Sequence, residues 1–197
     1  IRRNLEWHPR HRANHYLADI CGLLFVAAYL PKSVETKKWL DFACPQLIAE
    51  VMRQFTPDGA NFEASTCYHR FAAEMAVYTS ALVIGMAGNG DSLFSADYLA
   101  RLERMAEFTI HVTKPDGHVV QLGDNDSGRF FKLTPAFDHL DHLDHRALVA
   151  AAALVVAAEL APRTAVDRVR EALETGAAAR TLDRWRAAAT AHRPATN

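Results

Sequence analysis

The sequence predicts an all-α fold built of antiparallel helical hairpins. Three observations carry that prediction. Apolar residues recur at i, i+3 and i+4 through most of the chain, the connections between the periodic stretches are short, and almost no stretch alternates with the period of a strand. The 197 residues suffice for one domain with a sizeable core; half are apolar and 23% charged, a globular balance that argues against disorder.

The elements follow in order. Ala13 to Leu30 carries Leu17, Ile20, Cys21, Leu24 and Ala28 on one face, and Pro31 stops it. Ser33 is a good N-cap for a second helix through Phe55, with Trp39, Leu40, Ala43, Leu47, Val51 and Met52 apolar; Pro45 should kink or split it. The segment Thr56-Pro57-Asp58-Gly59-Ala60-Asn61 reads as a loop. A third helix spans about Thr66 to Met86 and ends at Gly88-Asn89-Gly90. Ser95 caps a fourth to about Val112, before a turn at Lys114-Pro115-Asp116-Gly117. His118 to Leu133 lacks a helical period and reads as extended or looped. Asp138 opens a fifth helix that runs to Leu160, and Pro162 breaks it. Two shorter polar helices follow near Thr164–Thr175 and Ala177–Ala191, and the last six residues read as frayed. No fixed-period repeat supports a solenoid, and no Gly/Ser-rich or Pro-rich linker divides the chain.

Charge and composition exclude several function classes. Twenty-two Lys and Arg stand against 23 Asp and Glu, so no global field draws nucleic acid or anionic membrane, and a polyanion needs a local site. The longest apolar run, Ala147 to Ala158, is 12 residues, where a membrane span needs about 20. The chain opens on Ile without an apolar signal region, which suggests that an upstream segment precedes it. Cys21, Cys44 and Cys67 form no CxxC or zinc spacing and read as small buried apolar residues.

Three polar segments could carry chemistry. Asn14 and His15 open the first helix; the plain alternative is an N-cap and a solvated first-turn residue. Asp58 to Arg70 contains a turn, then Ser65 or Thr66 as a cap, then Tyr68, His69 and Arg70 in the first helical turn. Gly123-Asp124-Asn125-Asp126-Ser127-Gly128-Arg129 is a Gly-flanked polar loop. An EF-hand needs Gly at its sixth position and Glu at its twelfth, where this loop has Arg129 and Pro135, so a calcium loop is rejected. Two acids, an amide and an Arg there suit sugar hydroxyls and a carboxylate. The repeated Asp-His at 138–145 places His139, His142 and His145 at helical spacing; a solvated helix face explains it better than a metal site, and no metal is assigned.

Taken together, NHYLADICGLLFVAAYLP, DGANFEASTCYHR and LGDNDSGRF, in that order and spacing over roughly residues 10–135, resemble the heparinase II/III-like polysaccharide lyases, which include alginate, oligoalginate and heparin lyases. The resemblance implies an incomplete (α/α) toroid, usually followed by an antiparallel β-sandwich, and nothing in these 197 residues reads as that second domain. It implies β-elimination on an anionic, uronate-containing polysaccharide, without an organic cofactor and in a periplasmic or secreted setting. Such a reaction needs a neutralised carboxylate, a base at C5 and a proton for the O4 leaving group. The matching positions are Asn14 and His15 for the carboxylate and Tyr68, 54 residues after Asn14, as base and acid. His15, His69 and Arg70 are the cations that would lower the Tyr68 pKa. Glu63, His69, Arg70, Asp124, Asn125, Asp126 and Arg129 are expected to bind substrate, Arg129 as an anchor for a substrate acid. A His from the β domain has no counterpart here, so the 197 residues are expected to hold an incomplete site within a single helical domain. The alternative reading is a noncatalytic glycan-binding or scaffold domain that keeps the groove.

Overall fold

The computed structural model describes residues 2–10, 12–87, 93–131 and 142–160. These form five helices: α1 (Asn14–Tyr29), α2 (Val34–Gln54), α3 (Thr66–Ala87), α4 (Ala96–His111) and α5 (Arg146–Leu160). Among the described residues no strand forms; Phe55 with Asn61 and Thr113 with Val119 make isolated antiparallel bridges that close two turns. The protein is all-α in these residues, and what they establish is hairpins rather than a closed ring. No helix among them is long and apolar enough to cross a membrane. The expected helices at 164–175 and 177–191 lie outside the described residues.

The apolar stripes pack as their period requires. Leu17, Ile20, Cys21 and Leu24 of α1 meet Ala43, Leu47 and Val51 of α2, Met75, Ala76 and Val77 of α3, Leu102 and Met105 of α4 and Leu148 and Ala152 of α5 in one core. Each large apolar side chain buried there contributes about 1.5–3 kcal/mol. All three cysteines are free thiols, Cys21 and Cys67 buried and Cys44 half-buried. Burial pushes the Cys21 thiol up to about 12, so it packs as an apolar group.

Local chemistry sets the ends. Ser33 and Thr36 form a reciprocal capping box on α2. Ser95 accepts the Tyr98 N–H at the start of α4. α2 runs through Pro45 unbroken, against the expectation of a split: Pro45 is exposed, and Ala43 and Leu47 on either side are fully buried. One missing N–H costs less than unpacking that face. α5 begins at Arg146, not Asp138. Residues 138–141 are outside the described set, and 142–145 form a turn in which the Asp144 carboxylate accepts the Arg146 N–H at 3.1 Å. The described end of the Asp-His repeat, residues 142–145, serves as a turn and a cap.

Contacts fix the helix directions. The end of α2 lies at the start of α1, where Gln54 Nε2 donates to Ala13 O at 3.1 Å. Glu63, just ahead of α3, bonds Asn14 at the start of α1, and Cys21 meets Met75 in mid-helix, so α1 and α3 run parallel. His69 reaches Met105 and Thr109 whereas Ser80 reaches Tyr98, so α4 runs antiparallel to α3. Arg70 near the start of α3 bonds His142 O just ahead of α5. The N-termini of α1, α3 and α5 therefore share one end of the bundle with the 55–65 and 112–131 loops.

Gly59 at the turn into that end has φ +88°, and a Cβ on it would lie 2.1 Å from the Arg104 carbonyl oxygen of α4. The obstacle is helix backbone, which cannot rotate away. Gly59→Ala should destabilise the chain by about 3–5 kcal/mol in urea unfolding. A loss below about 1 kcal/mol would show that α4 can draw back from this turn.

Candidate functional site

Asn14 is the first residue of α1, buried behind Ala13, which caps the helix without a side-chain bond. The cap comes from 49 residues away. Glu63 Oε1 accepts the Asn14 backbone N–H at 3.0 Å, and both carboxylate oxygens accept from Asn14 Nδ2, at 3.2 and 2.9 Å. A carboxylate at a helix N-terminus satisfies an orphan N–H and meets the positive end of the dipole. His15, exposed beside it, pairs its Nδ1 with Glu6 Oε2 at 2.8 Å.

The start of α3 is locked to the third polar segment. Ser65 Oγ accepts the Tyr68 N–H at 3.2 Å, making it the cap, and donates to Asp124 O at 2.6 Å. Thr66 N donates to Leu122 O at 3.0 Å, and Leu122 N donates to Thr66 Oγ1 at 3.1 Å. Gly123 has φ +66°, and a Cβ there would lie 2.9 Å from the Ala64 carbonyl oxygen, so only glycine lets the two backbones approach this closely. Above this seam the Tyr68 hydroxyl donates to Asp126 Oδ2. That bond raises the Tyr68 pKa above its ordinary value, with desolvation and the charges of Asp126, Asp124 and Glu63 adding to it.

Thus Asn14, Glu63, Tyr68, Asp124 and Asp126 meet at one end of the bundle, with His15 alongside. Asn125 braces the loop: its Oδ1 accepts the Ser127 N–H at 3.0 Å. The other expected site residues face inward. His69 is 2% exposed, with Nε2 near Met105 O (3.3 Å) and Thr109 Oγ1 (3.1 Å) and its ring against Phe55 and Phe108. Burial pulls its pKa down to about 4, so it brings no positive charge to Tyr68 at neutral pH.

Arg70 is fully buried; its guanidinium donates to Gly128 O at 2.6 Å and His142 O at 2.7 Å and lies 3.7 Å from Glu74 Oε1. Arg129 also turns in, 3.5 Å from Glu74. Burial pushes the Glu74 carboxyl up, while the Phe130 N–H at 2.9 Å, Arg70 and Arg129 pull it back. His145, expected on a solvated face, is 1% exposed beside this cluster, and burial together with Arg70 lowers it to about 3. The Asp-His motif makes no metal site among the described residues, and His139 lies outside them.

Residues 3–137 match the heparinase II/III N-terminus family. The chain belongs to that family. It is 26% identical over 121 residues to a heparin-sulfate lyase of Pedobacter heparinus, covering 61% of this chain and 18% of the relative. It is 27% identical over 105 residues to a heparin-sulfate lyase of Bacteroides stercoris, covering 53% and 16%. The chain thus spans less than a fifth of the length of these curated relatives. No solved structure matches it. In this member of the heparinase II/III family, all three polar segments fall inside the matched span. Glu63 was expected among the substrate-binding residues; nothing in sequence spacing pairs it with Asn14.

The buried histidines set a pH dependence. Both are held neutral in the fold, so their stabilisation is complete above about pH 6.5 and is lost as pH falls toward about 4 for His69 and about 3 for His145. Each histidine that protonates only on unfolding adds about 1.4 kcal/mol per pH unit to the slope. Urea unfolding between pH 6.5 and 4 should give a shallower slope for His69→Gln than for the natural chain, by about one proton. Equal slopes would mean that His69 is charged in the fold.

Proposed function

We propose that this chain is the helical portion of a polysaccharide lyase that cleaves uronate-containing glycans, of the glycosaminoglycan class, by β-elimination. The observation that carries the reading is the convergence of Asn14, Glu63 and Tyr68 with the Asp124–Asp126 loop at one end of the bundle, across more than a hundred residues of sequence. The curated relatives are named heparin-sulfate lyases, which supports the substrate class.

The chemistry assigns the roles. A C5 proton beside a charged carboxylate is a poor acid, so Asn14 and His15 hydrogen-bond the uronate and spread its charge. Asn14 Nδ2 lies within hydrogen-bond reach of both Glu63 carboxylate oxygens, so Glu63 fixes the amide and leaves its diverging second hydrogen for a substrate carboxylate. Tyr68 serves as base at C5 and as acid at O4. The inward-facing His69, Arg70 and Arg129 support the substrate surface from behind. A β-rich region beyond these residues completes the groove and supplies a histidine, as the family resemblance implies.

The test is a screen of the full-length protein on heparan sulfate and other uronate polymers, following the ultraviolet absorbance of the unsaturated product. Tyr68→Phe should lower turnover about 10²–10⁴-fold while changing the stability of the fold little, because the hydroxyl it removes is exposed. Asn14→Ala should lower kcat with a smaller change in apparent binding, because the lost interaction matters most as charge builds at C5. Near-normal turnover by Tyr68→Phe would remove Tyr68 from the chemistry and leave the noncatalytic glycan-binding reading.

A further inference from the structure

The lyase reading leaves a difficulty at Tyr68. A tyrosine that begins as a base must first lose its proton, and every charged group that faces this hydroxyl opposes that. Among the described residues they are Asp126 and Asp124 from the loop after α4 and Glu63 from the loop before α3, all carboxylates. His69 and Arg70, adjacent in sequence, are turned into the core. Tyr68 is therefore a phenol at neutral pH, with its proton pointed at Asp126.

We propose that Asp126 is the proton partner of Tyr68, so that the phenol acts as a relay and never ionises. This rests on the lyase reading of the same site. As the phenol oxygen takes the proton from C5, the phenolic proton moves along the existing hydrogen bond to the Asp126 carboxylate. The C5–H electron pair becomes the second bond of C4=C5, and the C4–O4 bond breaks with its pair on O4. Tyr68 then gives its proton to O4 and recovers one from Asp126, and both groups return to their starting state. No oxidant or other co-reactant enters. Asp126 touches Tyr68, not the sugar, and so acts through it. The geometry is held for this purpose: Ser65 bonds the Asp124 carbonyl, Leu122 and Thr66 bond each other, and Gly123 fits where a side chain cannot, so Asp126 is presented to the first turn of α3 by a fixed seam.

The relay predicts a pH signature that a structural role does not. In full-length Asp126→Asn the side chain still accepts the hydroxyl but cannot take a proton. Turnover on the uronate polymer that the natural protein cleaves should fall about 10²–10⁴-fold at pH 7. It should then recover about tenfold per pH unit on the alkaline side, as Tyr68 itself ionises, while the natural protein shows no such rise. Asp126→Ser, which keeps a small polar group without a carboxylate, should behave the same way, and KM should change little in both. Carbon-13 tyrosine NMR of the chain, with Tyr68→Phe to assign the signal, should show Tyr68 titrating at lower pH in Asp126→Asn than in the natural chain. A loss of turnover by one factor at every pH, or an unchanged Tyr68 titration, overturns the relay. Failure of the natural full-length protein to cleave any uronate polymer sinks the lyase reading itself, and the NMR titration tells the two failures apart.

Discussion

A single buried guanidinium organises the end of the bundle where chemistry can occur. Arg70 projects from the first turns of α3 into the protein and holds two chain segments that no secondary structure otherwise ties down, at Gly128 and at His142. Its charge is balanced by Glu74 one helical turn further along α3, and Glu74 in turn accepts the Phe130 N–H. A buried cation of this kind is costly to desolvate, and the cost is met only because backbone carbonyls and a carboxylate surround it. The arrangement specifies geometry more than it adds stability: apolar residues of similar volume would pack the site but could not fix the paths of two loops at once.

With those segments pinned, the rest of the site follows. The 122–124 backbone lies along the start of α3, Ser65 caps that helix while holding Asp124, and Asp126 falls over Tyr68. On the neighbouring parallel helix, Glu63 caps α1 through Asn14. Two helix starts are thus each joined to a carboxylate by a residue that a lyase would use. The first turns of two helices present Asn14 and Tyr68, and the neighbouring loops supply the carboxylates that orient them, so side chains on rigid elements are aimed by partners from loops.

The helices were legible because their signals are local. Caps at Ser33 and Ser95, breakers at Pro31 and beyond Ala87, and long apolar periods each act within a few residues, and the boundaries of α1 to α4 fall where those signals put them. The beginning of α5 was not legible, because Asp-His repeated every three residues satisfies a helical period and a capped turn equally well. The site was legible in part. Asn14, Tyr68 and Asp126 stood out as polar groups beside periodic helices, but the partners that orient them did not, since Glu63 lies 49 residues from Asn14 and Asp126 lies 58 from Tyr68. His69 and Arg70 show the opposite failure. Polar residues in a first helical turn look solvated, and it is the packing of α4 and of the backbone at Gly128 and His142 against them that makes them interior.

The electrostatics of this end constrain how a polyanion can be held. Glu63, Asp124 and Asp126 cluster around Tyr68, and a carboxylate brought within 4 Å of another is opposed by about 1 kcal/mol in water and about 4 kcal/mol at the effective dielectric of a protein surface. The converging helix N-termini return only about 0.3–1 kcal/mol each. Carboxylates with no proton or donor to share would therefore repel the substrate. Glu63 and Asp126 each accept from a donor, Asn14 and Tyr68, which offsets part of that repulsion but leaves the charge in place. Positive charge lies on the flank of α1 instead. Arg12 and Arg53 both reach the buried Glu50, leaving a net charge of +1 from the three, and their guanidiniums lie over the exposed rings of Trp7 and Phe62. These two cations and two aromatic faces offer an anion the charge and apolar surface that the carboxylate cluster around Tyr68 does not.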